Sequence, residues 1–224
     1  MTPSELIVRI PLGATSAYVI RGPVPILIDS GMVGQDALLR WKLRCAGVEL
    51  SDIALIVVTH AHGDHAGCLA RLSGLTDAAI ACSCETMQCL RRGAAAPMKP
   101  RTFVGRALLP LMSRFASYPA VDARVSDVAV VETMTLAPFG IDGMLLTTPG
   151  HTRGCLSVLV GDQAIVGDLV SGKLARPRTP SAPLLLEDPD AWARSVRLLL
   201  DRGVRRFHPA HGGPFDADHV AELL

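Results

Sequence analysis

Three histidines and an aspartate lie within six positions of the segment THAHGDHAG, residues 59–67, although the whole chain has only seven histidines. The segment follows directly on the apolar run 53–58. A single histidine in a loop is usually solvated or hydrogen-bonded and has no chemical task. Four donors at this spacing are instead typical of a metal site, and the candidate ligands are His60, His62, Asp64 and His65.

Three further candidate ligands recur in similar surroundings later in the chain. His151 in TTPGHTRG, Asp168 in AIVGDLVSG and His211 in HPAHGGP each follow an apolar segment that we predict to be a strand, beside a glycine or proline that turns the chain. Strand ends on one edge of a sandwich can converge on a cleft, and loops on a rigid scaffold are where chemistry is usually placed.

The predicted ligand set contains five imidazoles and two carboxylates and no thiolate. Such nitrogen and oxygen donors suit Zn²⁺, and also Fe or Mn. Seven side chains are too many for one tetrahedral ion, so the set predicts two ions that share one carboxylate. In an extended segment His60 and His62 would point the same way, because side chains alternate along a strand.

The rest of the sequence predicts the scaffold. Strands are expected at 5–11, 16–21, 25–29, 53–58, 79–81, 128–131, 134–136, 143–148, 155–160, 163–167 and 206–208. Helices are expected at 35–46, 69–75, 85–92, 191–200 and 216–224, with Leu38, Leu39, Trp41, Leu43 and Cys45 as core candidates in the first. Asp188-Pro189-Asp190 is the predicted start of the helix 191–200, and Gly203 its stop. Both halves run from strands to helices, which favours two sheets packed face to face with helices outside, in a single domain spanning 1–224.

The segment 93–118 allows two interpretations. It joins the two β-rich halves and has no strand pattern, and its apolar residues within 103–115 have partly helical spacing. It is therefore either a core helix or a hydrophobic lid over the site.

The ordered motifs resemble those of the metallo-β-lactamase fold superfamily. THAHGDHAG is similar to the H-x-H-x-D-H motif of that superfamily, and TPGHTRGCLSV, VGDLV and PAHGGP match its later ligand motifs in the expected order. The resemblance extends from ILIDSGM, residues 26–32, to His211, which is nearly the whole chain.

This resemblance implies an α/β (α+β) fold, a four-layer αββα sandwich with a dinuclear metal cleft along one edge. It implies that one ion is bound by His60, His62 and His151, and the other by Asp64, His65 and His211, with Asp168 bridging and Asp64 also the candidate catalytic residue. Asp29 in the DSG turn either supports a ligand from behind or is an ordinary turn residue. His208 and His219 match no ligand motif and are expected to be structural.

Within the superfamily, several activities fit less well. True metallo-β-lactamases generally lack the aspartate at Asp168, and glyoxalase II enzymes add a C-terminal helical region, whereas only thirteen residues follow His211 here. The extra arms of the nucleases and the flavodoxin domain of the flavodiiron proteins are also not found in this sequence. Lactonases of this fold often use a tyrosine, but Tyr18 and Tyr118 lie outside recognised motifs.

The sequence therefore predicts a metallo-hydrolase, in which metal-activated hydroxide attacks an ester, lactone or thioester carbonyl, or a phosphoester. Three alternatives stay open. One is a mononuclear-iron enzyme like the persulfide dioxygenases, with His60, His151 and Asp168 as ligands. Another is β-lactamase-type hydrolysis as a side activity, and the third is a binding protein without metal.

Composition limits the partners. The net charge is +1, and no short run of Lys and Arg is dense enough to indicate nucleic-acid binding. There is no secretory leader pattern and no apolar run of the roughly 18 residues that cross a bilayer. The six cysteines have no C-x-x-C spacing and are expected to be buried thiols in a reducing cytoplasm. We expect a small-molecule substrate with a hydrophobic part and no nucleic-acid or membrane partner, and leave open a homodimer.

Overall fold

The first half of the chain builds a six-stranded sheet. The computed structural model describes residues 3–224, with the side chains of 5–114 and 116–224. The sheet consists, in spatial order, of β1 Ile7–Pro11, β2 Ser16–Ile20, β3 Ile26–Ile28, β4 Leu55–Val57, β5 Ala79–Ser83 and β6 Val128–Val130. The first three strands are antiparallel and β3 to β6 are parallel. β3 and β4, in the middle of this sheet, are short, apolar and buried on both faces, as is typical of parallel strands.

The second half builds another six-stranded sheet. Its strands are β7 Thr133–Thr135, β8 Gly143–Thr147, β9 Leu156–Val160, β10 Gln163–Gly167, β13 Arg206–Pro209 and β14 Phe215–Asp216. Their spatial order is β14-β13-β10-β9-β8-β7, and only the β10–β13 pair is parallel. A small hairpin of β11 Ser171–Lys173 and β12 Arg176–Ser181 was not predicted, because its two prolines and short runs do not resemble a strand pattern.

Most helices begin and end close to the positions that the sequence predicts from its start and stop residues. They are α1 Pro3–Leu6, α2 Asp36–Cys45, α3 Gly63–Ala66, α4 Leu69–Ser73, α5 Cys84–Arg92, α6 Phe103–Met112, α7 Pro189–Asp201 and α8 Ala217–Ala221. The Asp188 side chain caps α7 by accepting a hydrogen bond from the Ala191 amide at 2.9 Å, and Pro189 occupies the first helical position, as the sequence predicts. None of the helices in residues 3–224 is long and apolar enough to cross a membrane.

Three apolar layers join these elements. The middle layer lies between the sheets and includes Ile28, Val57 and Val158. One outer layer packs α2, α4 and α5 on the first sheet, and the other packs α7 and α8 on the second, with Trp192 and Phe207 at its centre. The predicted αββα sandwich is thus confirmed, since each sheet buries one face against its partner and the other against helices.

Two predictions about burial are wrong in part. Of the core candidates in α2, only Leu39 and Leu43 are buried, while Leu38, Trp41 and Cys45 are exposed. The helix covers the sheet with a narrow stripe one residue wide per turn, and periodicity alone overestimates its width. Among the six cysteines, all free, only Cys68, Cys82 and Cys155 are buried; Cys45 and Cys84 are exposed and Cys89 is partly buried.

The segment 93–118 is anchored at both ends but is not a core helix. Its helix α6 buries only Gly105, and Phe103, Val104 and Leu111 face solvent. The core-helix interpretation of 103–115 is therefore wrong for 103–112, and the side chain of Phe115 lies outside the described residues. Whether the segment acts as a lid remains a prediction.

Candidate metal centre

All seven predicted ligands lie at one edge of the sandwich, beyond strand ends. His60 and His62 follow β4, and His151, Asp168 and His211 follow β8, β10 and β13. Asp64 and His65 lie in α3, which starts at Gly63 directly after the extended His62. Both sheets therefore contribute side chains to one cluster.

Three ring nitrogens form the first part of the cluster. The Nδ1 atom of His62 lies 3.1 Å from Nε2 of His60 and 3.0 Å from Nε2 of His151. The three rings are nearly perpendicular to one another, so their edges converge. One ion can be shared at this spacing, because Zn–N bonds are about 2.0–2.1 Å long. His60 and His62 point to the same place, as their alternation in an extended segment predicted.

Asp64, His65 and His211 form the second part. The Oδ2 atom of Asp64 lies 3.1 Å from Nε2 of His211 and 3.7 Å from Nε2 of His65. The side chains of Asp64 and His211 are 23% and 30% exposed, whereas that of His65 is fully buried. The cluster is therefore open to solvent on the side of Asp64 and His211.

Asp168 lies between the two parts. Its Oδ1 atom is 3.4 Å from Nε2 of His65 and 3.5 Å from Nε2 of His211. Its Oδ2 atom is 3.6 Å from Nε2 of His151. The two oxygens of one carboxylate thus face different groups of histidines.

Hydrogen bonds from behind fix the orientation of three rings. His65 is held through Nδ1 by Oδ2 of Asp29 at 2.7 Å, His151 by the Leu185 carbonyl at 2.7 Å and His211 by the Ala14 carbonyl at 2.8 Å. With Nδ1 as the donor, Nε2 is the atom of each neutral ring that can bind a cation, the arrangement found behind metal-bound histidines.

Asp29 is more than a turn residue. Besides His65, it accepts hydrogen bonds from the amide and the hydroxyl of Thr59, both at 2.8 Å, and it adopts a left-handed backbone with φ 62°. Asp tolerates this conformation better than most residues. The sequence left its role open. The carbonyls of Ala14 and Leu185 were missed because every residue has a main-chain carbonyl, and Thr59, which donates its amide and hydroxyl to Asp29, was missed because threonine is not a candidate metal ligand.

The electrostatics of the cluster divide in the same way. Burial, with the neighbouring histidines, holds the pKa of His60 well below 6.5 and lowers the pKa of His62 to about 3. Burial also lowers the pKa of His151. These rings are neutral at pH 7 and keep free lone pairs, as metal ligands must.

The second part carries charges of both signs instead. Burial opposes the charging of His65 and His211, but the carboxylates of Asp64 and Asp168, and of Asp29 beside His65, outweigh it and hold the pKa of each well above 6.5. Burial likewise opposes ionisation of Asp64 and Asp168, yet those histidines hold the pKa of both carboxyls below their ordinary range.

The residues fit a divalent metal. Among the described residues, Nε2 of His65 and Oδ1 of Asp168 are buried without a hydrogen-bond partner, although they face each other across the cluster. Unpaired buried polar atoms are costly, and a cation between them would satisfy both. Nitrogen and oxygen donors without thiolate match Zn²⁺, Fe or Mn.

The remaining histidines and the tyrosines lie outside the cluster. His208 hydrogen-bonds Gln163 at 2.7 Å, and His219 is exposed on α8. The Tyr18 hydroxyl donates to the Pro209 carbonyl at 2.6 Å, and that of Tyr118 donates to the Ala94 and Ala61 carbonyls at 3.2 and 3.4 Å. Both phenols are thus engaged with backbone, which gives no support to a tyrosine that holds substrate.

Comparisons with known proteins agree with this architecture. The sequence profile of the metallo-beta-lactamase superfamily matches residues 10–211. The chain is 29% identical to the probable metallo-hydrolase YqjP of Bacillus subtilis, covering 96% of this chain and 73% of that protein. It is 24% identical to the probable metallo-hydrolase MJ0888 of Methanocaldococcus jannaschii, covering 89% and 88%.

A solved structure has the same fold. The archaeal metallo-beta-lactamase superfamily protein ST1585 from Sulfolobus tokodaii superimposes with a TM-score of 0.68 at 19% identity, covering 96% of this chain and 83% of that one. With a profile match over most of its length and a histidine and aspartate cluster at the expected edge, this chain belongs to the metallo-β-lactamase superfamily.

Proposed function

We propose that the protein is a hydrolase with a dinuclear metal centre that cleaves an ester, lactone, thioester or phosphoester. The superfamily and the general metallo-hydrolase class are the starting point. Our reason for two ions is Asp168, whose two oxygens face His65 and His211 on one side and His151 on the other. A carboxylate in that position can bridge two cations. Of the three candidate ligand groups in the cluster, His60–His62–His151 and Asp64–His65–His211 share no residue, so each could hold its own ion.

In this proposal His60, His62 and His151 hold one ion and Asp64, His65 and His211 hold the other. Zn²⁺ is the first candidate for both, with Fe or Mn as alternatives. Bound there, the ions would polarise a carbonyl or phosphoryl oxygen and lower the pKa of bound water towards neutrality.

The residues of the chain bind, orient and shield. Asp64 and His211 line the accessible side, so substrate reaches the centre past them. Asp64 is ionised because its neighbouring histidines lower its pKa, and its carboxylate can accept a hydrogen bond from an attacking water and keep that water in place. The buried rings of His60, His65 and His151 exclude water from the opposite side.

Metal analysis and a substrate panel test the proposal together. The protein is measured for metal per chain as purified and again after loading with Zn²⁺, and is then assayed with lactones, thioesters, phosphodiesters and β-lactams. We expect two ions per chain and turnover of at least one carbonyl or phosphoester substrate that a chelator abolishes. One tightly held iron per chain, with oxygen consumed in the presence of persulfides, would favour the dioxygenase alternative. If β-lactams were the best substrates, the protein would instead be a β-lactamase. No metal and no turnover would refute the enzyme.

A further inference from the structure

Two segments that adjoin the metal edge have an unusual charge. Residues 91–114 and 171–181 contain nine of the 22 basic residues and none of the 21 acidic ones. The remainder of the chain is therefore net acidic, although the whole carries only +1. Their basic residues are Arg91, Arg92, Lys99, Arg101, Arg106, Arg114, Lys173, Arg176 and Arg178. Such a division of charge is the feature that attracts an anionic partner to one face of a protein.

Both segments lie beside the candidate metal centre. The Gly172 amide in β11 donates to the carbonyl of His211 at 2.8 Å. The Ala96 amide donates to the carbonyl of Ala61, between His60 and His62, at 2.9 Å. The Arg101 amide donates to the Leu184 carbonyl at 2.9 Å, next to the carbonyl that holds His151. The hairpin β11–β12 and the helix α6 therefore border the metal edge from two sides.

Most of these cations have no partner within the protein. Lys99 pairs with Glu187, and Arg101 donates to the Pro183 carbonyl. Five other cations lie in α6, just after it or in the hairpin, and their side chains are exposed. Among the described residues, they form neither an ion pair nor a hydrogen bond: Arg106, Arg114, Lys173, Arg176 and Arg178. These charges are free to contact a ligand.

Apolar side chains project among these cations. In α6 the solvent face carries Phe103 at 84% exposure and Leu111 at 54%, with Val104 also exposed, while the buried residue is Gly105. At the tip of the hairpin Leu174 is 75% exposed. A surface helix normally turns its polar side to water. Here the outer side is apolar with Arg106 as its only charge, which indicates that something apolar covers it.

We propose that this basic and apolar face docks on an anionic lipid surface. We name it the docking face: residues 99–114, which include α6, with the hairpin 171–181. A bilayer supplies both complements at once, since phosphate groups attract Lys and Arg while exposed Phe and Leu enter the boundary between headgroups and acyl chains. No spanning helix is needed. The expectation of no membrane partner rested on apolar run length, which does not bear on peripheral binding.

Charge and side-chain type argue against other occupants. A second copy of the chain would bring the same unpaired cations of the docking face against each other. Single-stranded nucleic acid would match the charge but is bound through stacking on aromatic rings, and three of the four exposed apolar residues are Val or Leu. The proposal does not depend on the hydrolase activity, so either can fail alone.

Vesicle co-sedimentation of the zinc-loaded full chain tests the proposal. We expect binding to vesicles of phosphatidylcholine mixed with phosphatidylglycerol, and none to phosphatidylcholine alone. Binding should disappear in about 1 M salt, where the Debye length is about 3 Å. Failure to bind anionic vesicles at low salt would overturn the proposal.

Matched variants locate the surface. Changing Arg106, Lys173 and Arg176 to Gln should weaken partition into anionic vesicles about fivefold for each residue. The control changes three exposed arginines on the outer helices, Arg44, Arg194 and Arg197, to Gln and should leave partition nearly unchanged. Equal losses in both triple variants would show that only net charge matters and would overturn the assignment to this face.

A second pair of variants separates lipid from the other occupants. Phe103→Ser with Leu174→Ser should reduce vesicle binding, whereas Trp41→Ser with Val131→Ser, at exposed sites elsewhere, should not. Sedimentation without lipid is the further arm. Self-association that Phe103→Ser abolishes would assign the face to a second copy, and tight oligonucleotide binding lost in the Gln triple variant would assign it to nucleic acid; both results contradict the proposal.

Discussion

The Nδ1 atom of His65 lies 2.7 Å from Oδ2 of Asp29, in a fully buried contact that joins the end of β3 to the motif after β4. This contact fixes which nitrogen of His65 faces the cluster. Since Asp29 also accepts hydrogen bonds from the amide and hydroxyl of Thr59, one carboxylate positions both the candidate ligand His65 and the start of its loop.

Asp29→Asn tests this relationship, because Asn keeps the shape and tolerates the left-handed backbone but removes the charge. We expect metal affinity to fall about 10–100-fold, the usual effect of losing a residue that supports a ligand. Competition with a chromogenic chelator measures it. The exposed Asp162→Asn is the control, and identical affinities in the two variants would mean that Asp29 has only a turn role.

In the proposed dinuclear centre, Asp168→Ala would remove one ligand from each ion, so this variant should lose at least one ion and lower kcat/KM by roughly two orders of magnitude or more. His62→Ala would remove a ligand from one of the two proposed ions only, so it should lose less metal per chain than Asp168→Ala. Metal content and kinetics on the purified variants check this. Two tightly held ions in Asp168→Ala would exclude a bridge.

Gly167→Ala should disturb the site from outside the ligand set. Gly167 has φ 50°, and an added Cβ would lie 2.7 Å from Oγ1 of Thr59, the hydroxyl that Asp29 holds. We expect about 1–2 kcal/mol of backbone strain and about 1–3 kcal/mol of overpacking, together with weaker metal binding. Gly203→Ala has similar backbone strain at φ 80° but no atom within 4 Å, so it controls for the strain alone. Chemical unfolding and chelator competition should then separate the two variants.

Metal binding should release protons and tighten as pH rises. In the metal-free protein the pKa values of His65 and His211 lie well above 6.5, because burial is outweighed by Asp64 and Asp168, so each ring carries a proton that a cation must displace. Calorimetry in buffers of different ionisation enthalpy measures the release. A pH-independent affinity above pH 6.5 would contradict the ionised state of these rings.

His208 should make the protein less stable in mild acid. Burial, followed by Arg206 and Arg9, lowers its pKa to about 4. Because the folded-state value lies below the unfolded value of about 6.5, the unfolded chain binds more protons between those limits, and stability falls as pH drops through this window. Between pH 7 and pH 5, His208→Gln should lose about 1 kcal/mol less stability than the unchanged protein. Its Tm should therefore fall by about 2–4 °C less over the same pH range. Thermal melts of both proteins with chelator at the two pH values test the slope.

The sequence predicted the secondary structure and the candidate ligands better than it predicted which residues are exposed. Apolar runs and caps placed most strands and helices, because backbone hydrogen bonding and burial follow local pattern, as Asp188 and Pro189 illustrate at α7. Motif spacing selected seven side chains that the fold brings together. Exposure was harder to predict. Trp41 and the apolar side chains of α6 face solvent, because burial depends on whether another part of the fold packs against a residue and not on its type alone. The carbonyls of Ala14 and Leu185 could not be predicted at all, since every residue has one.

The two ligand groups have a consequence for assembly of the chain. His60 and His62 come from the first sheet and His151 from the second, and Asp64 and His65 must likewise meet His211 from the far half. Neither half alone can offer a complete set, so an isolated half should bind metal weakly. Metal should then bind tightly only after the two sheets have packed together. Bound metal would hold the sheets to each other, and its loss should weaken the contact between them before either sheet unfolds.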